Sequence, residues 1–136
     1  DEVQAAILRV KLKHLKDWTT ARQKIATWYE YGLQGLPVTL PTSLPNNTHA
    51  YCVYTVRCPN RDKLQVYLKE NGISTAVYYP VPLYRQPAYK HLGYRKQDFP
   101  VTEKACQEVL SLPMFPQLTE EEVMYVCECI QKFYRK

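Results

Sequence analysis

The residues best equipped for chemistry crowd into one stretch, 78–96. It brings Tyr78, Tyr79, Tyr84, Tyr89 and Tyr94 together with Arg85, Lys90, His91, Arg95 and Lys96. Pro80, Pro82 and Pro87 stiffen the backbone between them, which lowers the entropy lost when a ligand binds. Tyrosines offer stacking faces and hydroxyl donors, and an arginine offers a planar fork that fits phosphate or carboxylate. Such a loop is suited to an anionic small substrate. The competing reading is an ordered loop that packs its own aromatics, or a contact between subunits.

Outside that stretch the sequence is poor in catalytic patterns. Four glycines are present, none in a Gly-rich loop, so no phosphate cradle is visible. No His-Glu-x-x-His or Gly-x-Ser-x-Gly pattern occurs. Of His14, His49 and His91, the first is flanked by Lys11, Lys13 and Lys16 and reads as solvated; none has a recognisable Ser or Cys partner. Cys52, Cys58, Cys106, Cys127 and Cys129 are odd in number and lack Cys-x-x-Cys spacing, against a disulfide framework or a zinc knuckle. His49, Cys52 and Cys58 read as strand residues rather than metal ligands. Reduced thiols fit a cytoplasmic protein. Cys127 and Cys129, two apart on a predicted helix, should face nearly opposite sides. Taken alone, the chain offers no complete active site and no catalytic residue.

The elements that must hold the loop follow from periodicity. The 136 residues suit one domain with one core. The net charge of +5 is scattered among 13 acids, which favours a small anion over nucleic acid. No apolar run approaches the roughly 18 residues of a membrane span, and no leader is visible. The chain opens on Asp1 already in a helical pattern, as expected of a piece of a longer protein. Residues 1–31 read as one long amphipathic helix with Val3, Ile7, Val10, Ala21 and Ile25 in its stripe, widened by Leu8, Leu12, Leu15 and Trp18. Gly32 and Gly35 end it. Pro37, Pro41 and Pro45 mark a connector. Ala50–Cys58 reads as a buried strand, and Asn60 as the cap of a helix over 61–71 stopped by Gly72. Ile73–Tyr78 reads as a second strand, 79–99 as a long loop, 101–108 as a short helix and Val109–Leu112 as a third strand. Thr119 and Glu122 form a capping box before a last helix lined by Val123, Val126, Cys127, Ile130 and Phe133. The expected fold is α+β: a two-layer sandwich of a small, mainly antiparallel or mixed sheet against helices.

Three stretches together resemble one family. Residues 1–12, Asp-Glu-Val-Gln-Ala-Ala-Ile-Leu-Arg-Val-Lys-Leu, look like the helix that follows the catalytic core of DegT/DnrJ/StrS-type sugar aminotransferases. Gly72 to Leu83 (Gly-Ile-Ser-Thr-Ala-Val-Tyr-Tyr-Pro-Val-Pro-Leu), then Gln86-Pro87-Ala88-Tyr89, resemble its substrate loop. Leu110-Ser-Leu-Pro-Met-Phe-Pro116, then Leu118-Thr-Glu-Glu121, resemble its final strand and last helix start. The resemblance covers essentially the whole chain, in order. It implies the C-terminal small domain of a fold type I enzyme. Pyridoxal 5'-phosphate would sit on a lysine of a large domain upstream of residue 1, with none expected on this chain. The implied reaction is amino transfer, from glutamate, to a keto-sugar nucleotide. It further implies a homodimer, an inactive isolated chain, and substrate contacts at Tyr78, Tyr79 and Pro80. Many members carry His where this chain has Tyr78 and Tyr84, so a basic nitrogen is replaced by a phenol. Arg85 is a candidate anion partner.

Two rivals remain. One is a free-standing α+β module for nucleotides or RNA, motivated by the basic, Tyr-rich loop. The other is a sugar dehydratase of the same family, which would use the same cofactor.

Overall fold

The computed structural model describes residues 1–135. Helix α1 (Glu2–Leu12) is capped by the Asp1 side chain, which accepts from the Gln4 N–H at 3.1 Å. Helix α2 (Leu15–Gly32) follows directly. The expected single helix over 1–31 is therefore two. At Lys13 and His14 the backbone tightens to N–H bonds three residues back, to Val10 and Lys11. Neither glycine nor proline stands there, and nothing in the local sequence explains the break. The apolar stripe also divides. Val3, Ile7, Leu8, Val10, Leu12 and Leu15 are all exposed, whereas Ile25, Ala26 and Tyr29 in the second half of α2 are buried.

The sheet is antiparallel and two-stranded: β1 (Tyr54–Arg57) pairs with β2 (Val109–Leu112), Tyr54 opposite Leu112 and Val56 opposite Leu110. These four side chains share one face and are buried. Thr55 and Ser111 lie opposite each other on the other face, their hydroxyls 2.8 Å apart. Single bridges extend the sheet on both edges, Thr39 to Arg57 and Ala76 to Ser111. The expected second strand, 73–78, is thus reduced to one bridge. The first strand starts late because Tyr51 has a positive φ of 45° and gives its N–H to His49 Nδ1 rather than to a ladder.

Helix α3 (Arg61–Glu70) lies where expected, but Asn60 does not cap it. Asn60 sits in the left-handed region at φ 55° and makes no side-chain cap bond. Helix α4 (Pro100–Glu108) leads straight into β2. Helix α5 (Glu120–Tyr134) carries the expected capping box: Thr119 Oγ1 accepts from the Glu122 N–H, and Glu122 Oε2 accepts from the Thr119 N–H at 2.9 Å. It packs between α2 and α3. Cys127 and Cys129, expected on nearly opposite sides of the helix, are both buried. Gly32 makes the approach to α5 possible, because a Cβ there would lie 2.6 Å from Cys127 Sγ and 2.8 Å from Cys127 Cβ. All five cysteines are free thiols. Among the described residues no helix is long and apolar enough to cross a membrane.

Candidate functional site

The loop leaves the sheet at Ala76, whose N–H and carbonyl are both bonded to Ser111, at 3.1 and 2.8 Å. Two residues later the chain turns outward. Tyr78 and Tyr79, joined by a cis peptide, stand edge to face with ring centroids 5.6 Å apart. Both are exposed, Tyr79 by 72%. Pro80 follows them into solvent. The structure thus brings three of the four expected contact residues together as one exposed cluster. Tyr78 also borders a shallow cavity of about 250 Å³ shared with Ser74, Thr75, Ser111 and Met114, on the polar side of the sheet.

The loop then runs through three short 3-10 turns, Leu83–Arg85, Pro87–Leu92 and Lys96–Asp98. Part of its aromatic content packs on itself. Tyr84 and Tyr94 close around Phe99, with centroids 4.8 and 5.2 Å from that ring. Tyr89, Lys90, His91, Arg95 and Lys96 remain exposed. Self-packing is therefore realised at the half-buried Tyr84, whereas Tyr94 touches the same cluster but stays 52% exposed, as open to solvent as Tyr78.

Arg85, the fourth expected residue, has a partner that the sequence did not reveal. Its Nη1 lies 3.2 Å from Glu103 Oε2 and 3.4 Å from Oε1. Tyr84 donates its phenol to the same carboxylate through a short bond. Loss of water raises the Tyr84 phenol to about 12, and the hydrogen-bonded Glu103 carboxylate adds to the shift. Glu103 itself is only 5% exposed. It stands in the first turn of α4, where the helix dipole favours a negative charge. The available signal was an acid three residues after Pro100, at a helix start, following a run of basic and aromatic residues.

The arrangement of sheet and helices defines a class first. The chain superposes over its full length on DesV of S. venezuelae, solved in complex with a ketimine intermediate. The TM-score is 0.95 at 36% identity, and 37% of that chain is covered. The fold class is a small α+β domain with a two-stranded antiparallel sheet, of the kind found in fold type I aminotransferases. More narrowly, residues 1–131 match the model of the DegT/DnrJ/EryC1/StrS aminotransferase family, and the chain belongs to that family. It is 50% identical over 138 aligned residues to a pleiotropic regulatory protein of Geobacillus stearothermophilus, covering 99% of this chain and 37% of that protein. It is 36% identical to a dTDP-3-amino-3,6-dideoxy-alpha-D-galactopyranose transaminase of Aneurinibacillus thermoaerophilus, covering 98% of this chain and 36% of the transaminase. The chain thus spans little more than a third of the length of the relatives it matches.

Pyridoxal phosphate, the cofactor the family implies, needs a lysine held out of water and a cradle for its phosphate. Every lysine among the described residues is exposed. These residues do not by themselves fit the group. The described residues also hold no cluster of three His, Cys, Asp or Glu side chains placed for a metal ion.

Proposed function

We propose that this chain is the C-terminal small domain of a cytoplasmic, homodimeric aminotransferase that uses pyridoxal phosphate. In this reading the enzyme passes an amino group from glutamate to a nucleotide-linked keto-sugar, and the isolated domain is inactive. The observation that carries the reading is the full-length superposition on DesV at a TM-score of 0.95. The sugar transaminase at 36% identity supports the substrate class. The exposed lysines are consistent with the reactive lysine lying in another domain.

Within that enzyme, Tyr78, Tyr79 and Pro80 form the part of this domain that reaches the substrate cleft. Two neighbouring phenols supply stacking faces and donors, and Arg85 supplies positive charge. The test is made on the full-length protein with glutamate and a panel of dTDP- and UDP-linked keto-sugars, following amino-sugar formation by mass spectrometry. Tyr79→Ala should raise KM for the sugar nucleotide about tenfold, equivalent to about 1.4 kcal/mol of lost contact, while leaving KM for glutamate within about twofold. If Tyr79→Ala leaves both constants unchanged, the loop does not contact substrate. If no keto-sugar is aminated, the enzymatic reading fails.

A further inference from the structure

Glu103 is the most deeply buried acid among the described residues, and both of its visible partners belong to the loop it faces. Its carboxylate receives the Tyr84 phenol and Arg85 Nη1, 19 and 18 residues earlier in the chain. Tyr84, Tyr94 and Phe99 cover that junction with three mutually contacting rings. One acid on a helix start thereby ties the turn at Tyr84 and Arg85 to α4.

The closure also orients Arg85. The Arg85 side chain remains 52% exposed, with only Nη1 engaged by Glu103. Among the described residues, Nε and Nη2 of Arg85 have no hydrogen-bond partner. A guanidinium anchored at one nitrogen, with its other donors facing solvent, is pre-oriented for an anion. A free arginine would have to lose several rotatable bonds to do the same. The tip of the loop, Tyr78 to Pro80, leads into the same latched turn, because Leu83–Arg85 begins three residues after Pro80.

We propose that Glu103 is a positioning residue: it latches the loop to α4 and aims the free edge of Arg85 at the anionic part of the substrate. This rests on the substrate reading given above. Glutamine at 103 still accepts the Tyr84 phenol but no longer carries the charge that holds Arg85. Phenylalanine at 84 removes the other arm and leaves the Arg85 pair in place.

The test uses the full-length protein and its Glu103→Gln, Arg85→Ala, Tyr84→Phe and doubly substituted Glu103→Gln/Arg85→Ala variants. Glu128→Gln, at the exposed pair with Lys132 on α5, serves as the surface control. Hydrogen exchange reads the latch without reference to activity. Amides of 83–99 should exchange at least about tenfold faster in Glu103→Gln and in Tyr84→Phe, with the core strands unchanged. Kinetics reads the aim. Glu103→Gln should raise KM for the sugar nucleotide roughly fivefold to tenfold with kcat within about twofold. In the Arg85→Ala background the same change should add less than about twofold. Titration with dTDP and UDP as probes should weaken in parallel.

Unchanged exchange in 83–99 for both latch variants overturns the latch. Effects of Glu103→Gln and Arg85→Ala that multiply overturn the aiming role, as does an equal loss in kcat and in both substrate constants. If the protein aminates no sugar nucleotide, the function fails, and exchange together with the dTDP and UDP titrations still decides the role of Glu103. Should Glu103→Gln not fold, Tyr84→Phe decides the latch, and the Arg85→Ala constants decide whether there is an aim to set.

Discussion

Two tyrosines stacked in the core should respond to the same chemical change with opposite signs. Tyr29 on α2 and Tyr54 on β1 lie 4.8 Å apart, nearly parallel, and both are fully buried. Tyr29 donates to the Pro113 carbonyl at 2.8 Å. The Tyr54 hydroxyl has no hydrogen-bond partner among the described residues. Burial pushes both phenols well above their ordinary range, so both stay neutral through the physiological pH range. Removing the Tyr29 hydroxyl loses a bond and strands a carbonyl, a cost of about 1–3 kcal/mol. Removing the Tyr54 hydroxyl relieves a buried donor that has nothing to bond, a gain of about 1 kcal/mol. At about 3–5 °C per kcal/mol for a chain of this size, Tyr29→Phe should lower the melting temperature and Tyr54→Phe should raise it. Urea denaturation followed by circular dichroism, with unchanged m-values, measures both differences. If Tyr54→Phe destabilises as much as Tyr29→Phe, the hydroxyl has a partner and the reasoning is refuted.

Further predictions rest on other contacts. The Cys127 thiol is raised from 9.0 to about 12, by burial. Between those values the unfolded chain has lost a proton that the folded chain keeps, so stability should be flat below about pH 8. It should then fall as pH rises from 9 towards 12, by at most about 1.4 kcal/mol per unit from this group. Cys127→Ala should make that alkaline slope shallower, and an unchanged slope counts against the burial argument. Gly32→Ala would ordinarily gain up to about 1 kcal/mol in a helix, but its Cβ meets Cys127 at 2.6 Å. Overpacking of about 1–3 kcal/mol should win, leaving the variant less stable in urea. A stabilised variant would mean that α2 and α5 separate easily. Thr119→Ala should cost about 1 kcal/mol by removing the α5 cap, with a loss under about 0.3 kcal/mol showing the cap to be idle.

The parts of the fold that were legible in the sequence are those set by local chemistry. The Thr119/Glu122 pair marks the start of α5 because its bonds span only three residues. Helices α3 and α4 and strand β2 sit within a residue or two of their expected bounds, because turns and prolines delimit them. Failures occur where a distant contact decides. The strand expected from Ala50 begins only at Tyr54, since His49 takes the Tyr51 N–H. Asn60 has the right residue type for a cap but a left-handed backbone. Cys129, left out of the apolar face expected for α5, is buried on a helix that packs against both α2 and α3. In the candidate site, Tyr78, Tyr79 and Pro80 were visible as a cluster because they are adjacent. The hold of Glu103 on Arg85 was not, because it spans 18 residues and depends on how α4 docks.

The central claim is that this domain belongs to an enzyme that takes an amino group from glutamate. Its most direct test is the visible spectrum of the full-length protein, purified with pyridoxal phosphate and titrated with glutamate. The account predicts a cofactor band that bleaches with glutamate in the absence of sugar and returns when a suitable keto-sugar nucleotide is added. A protein that carries no cofactor, or whose band is indifferent to glutamate, would contradict it.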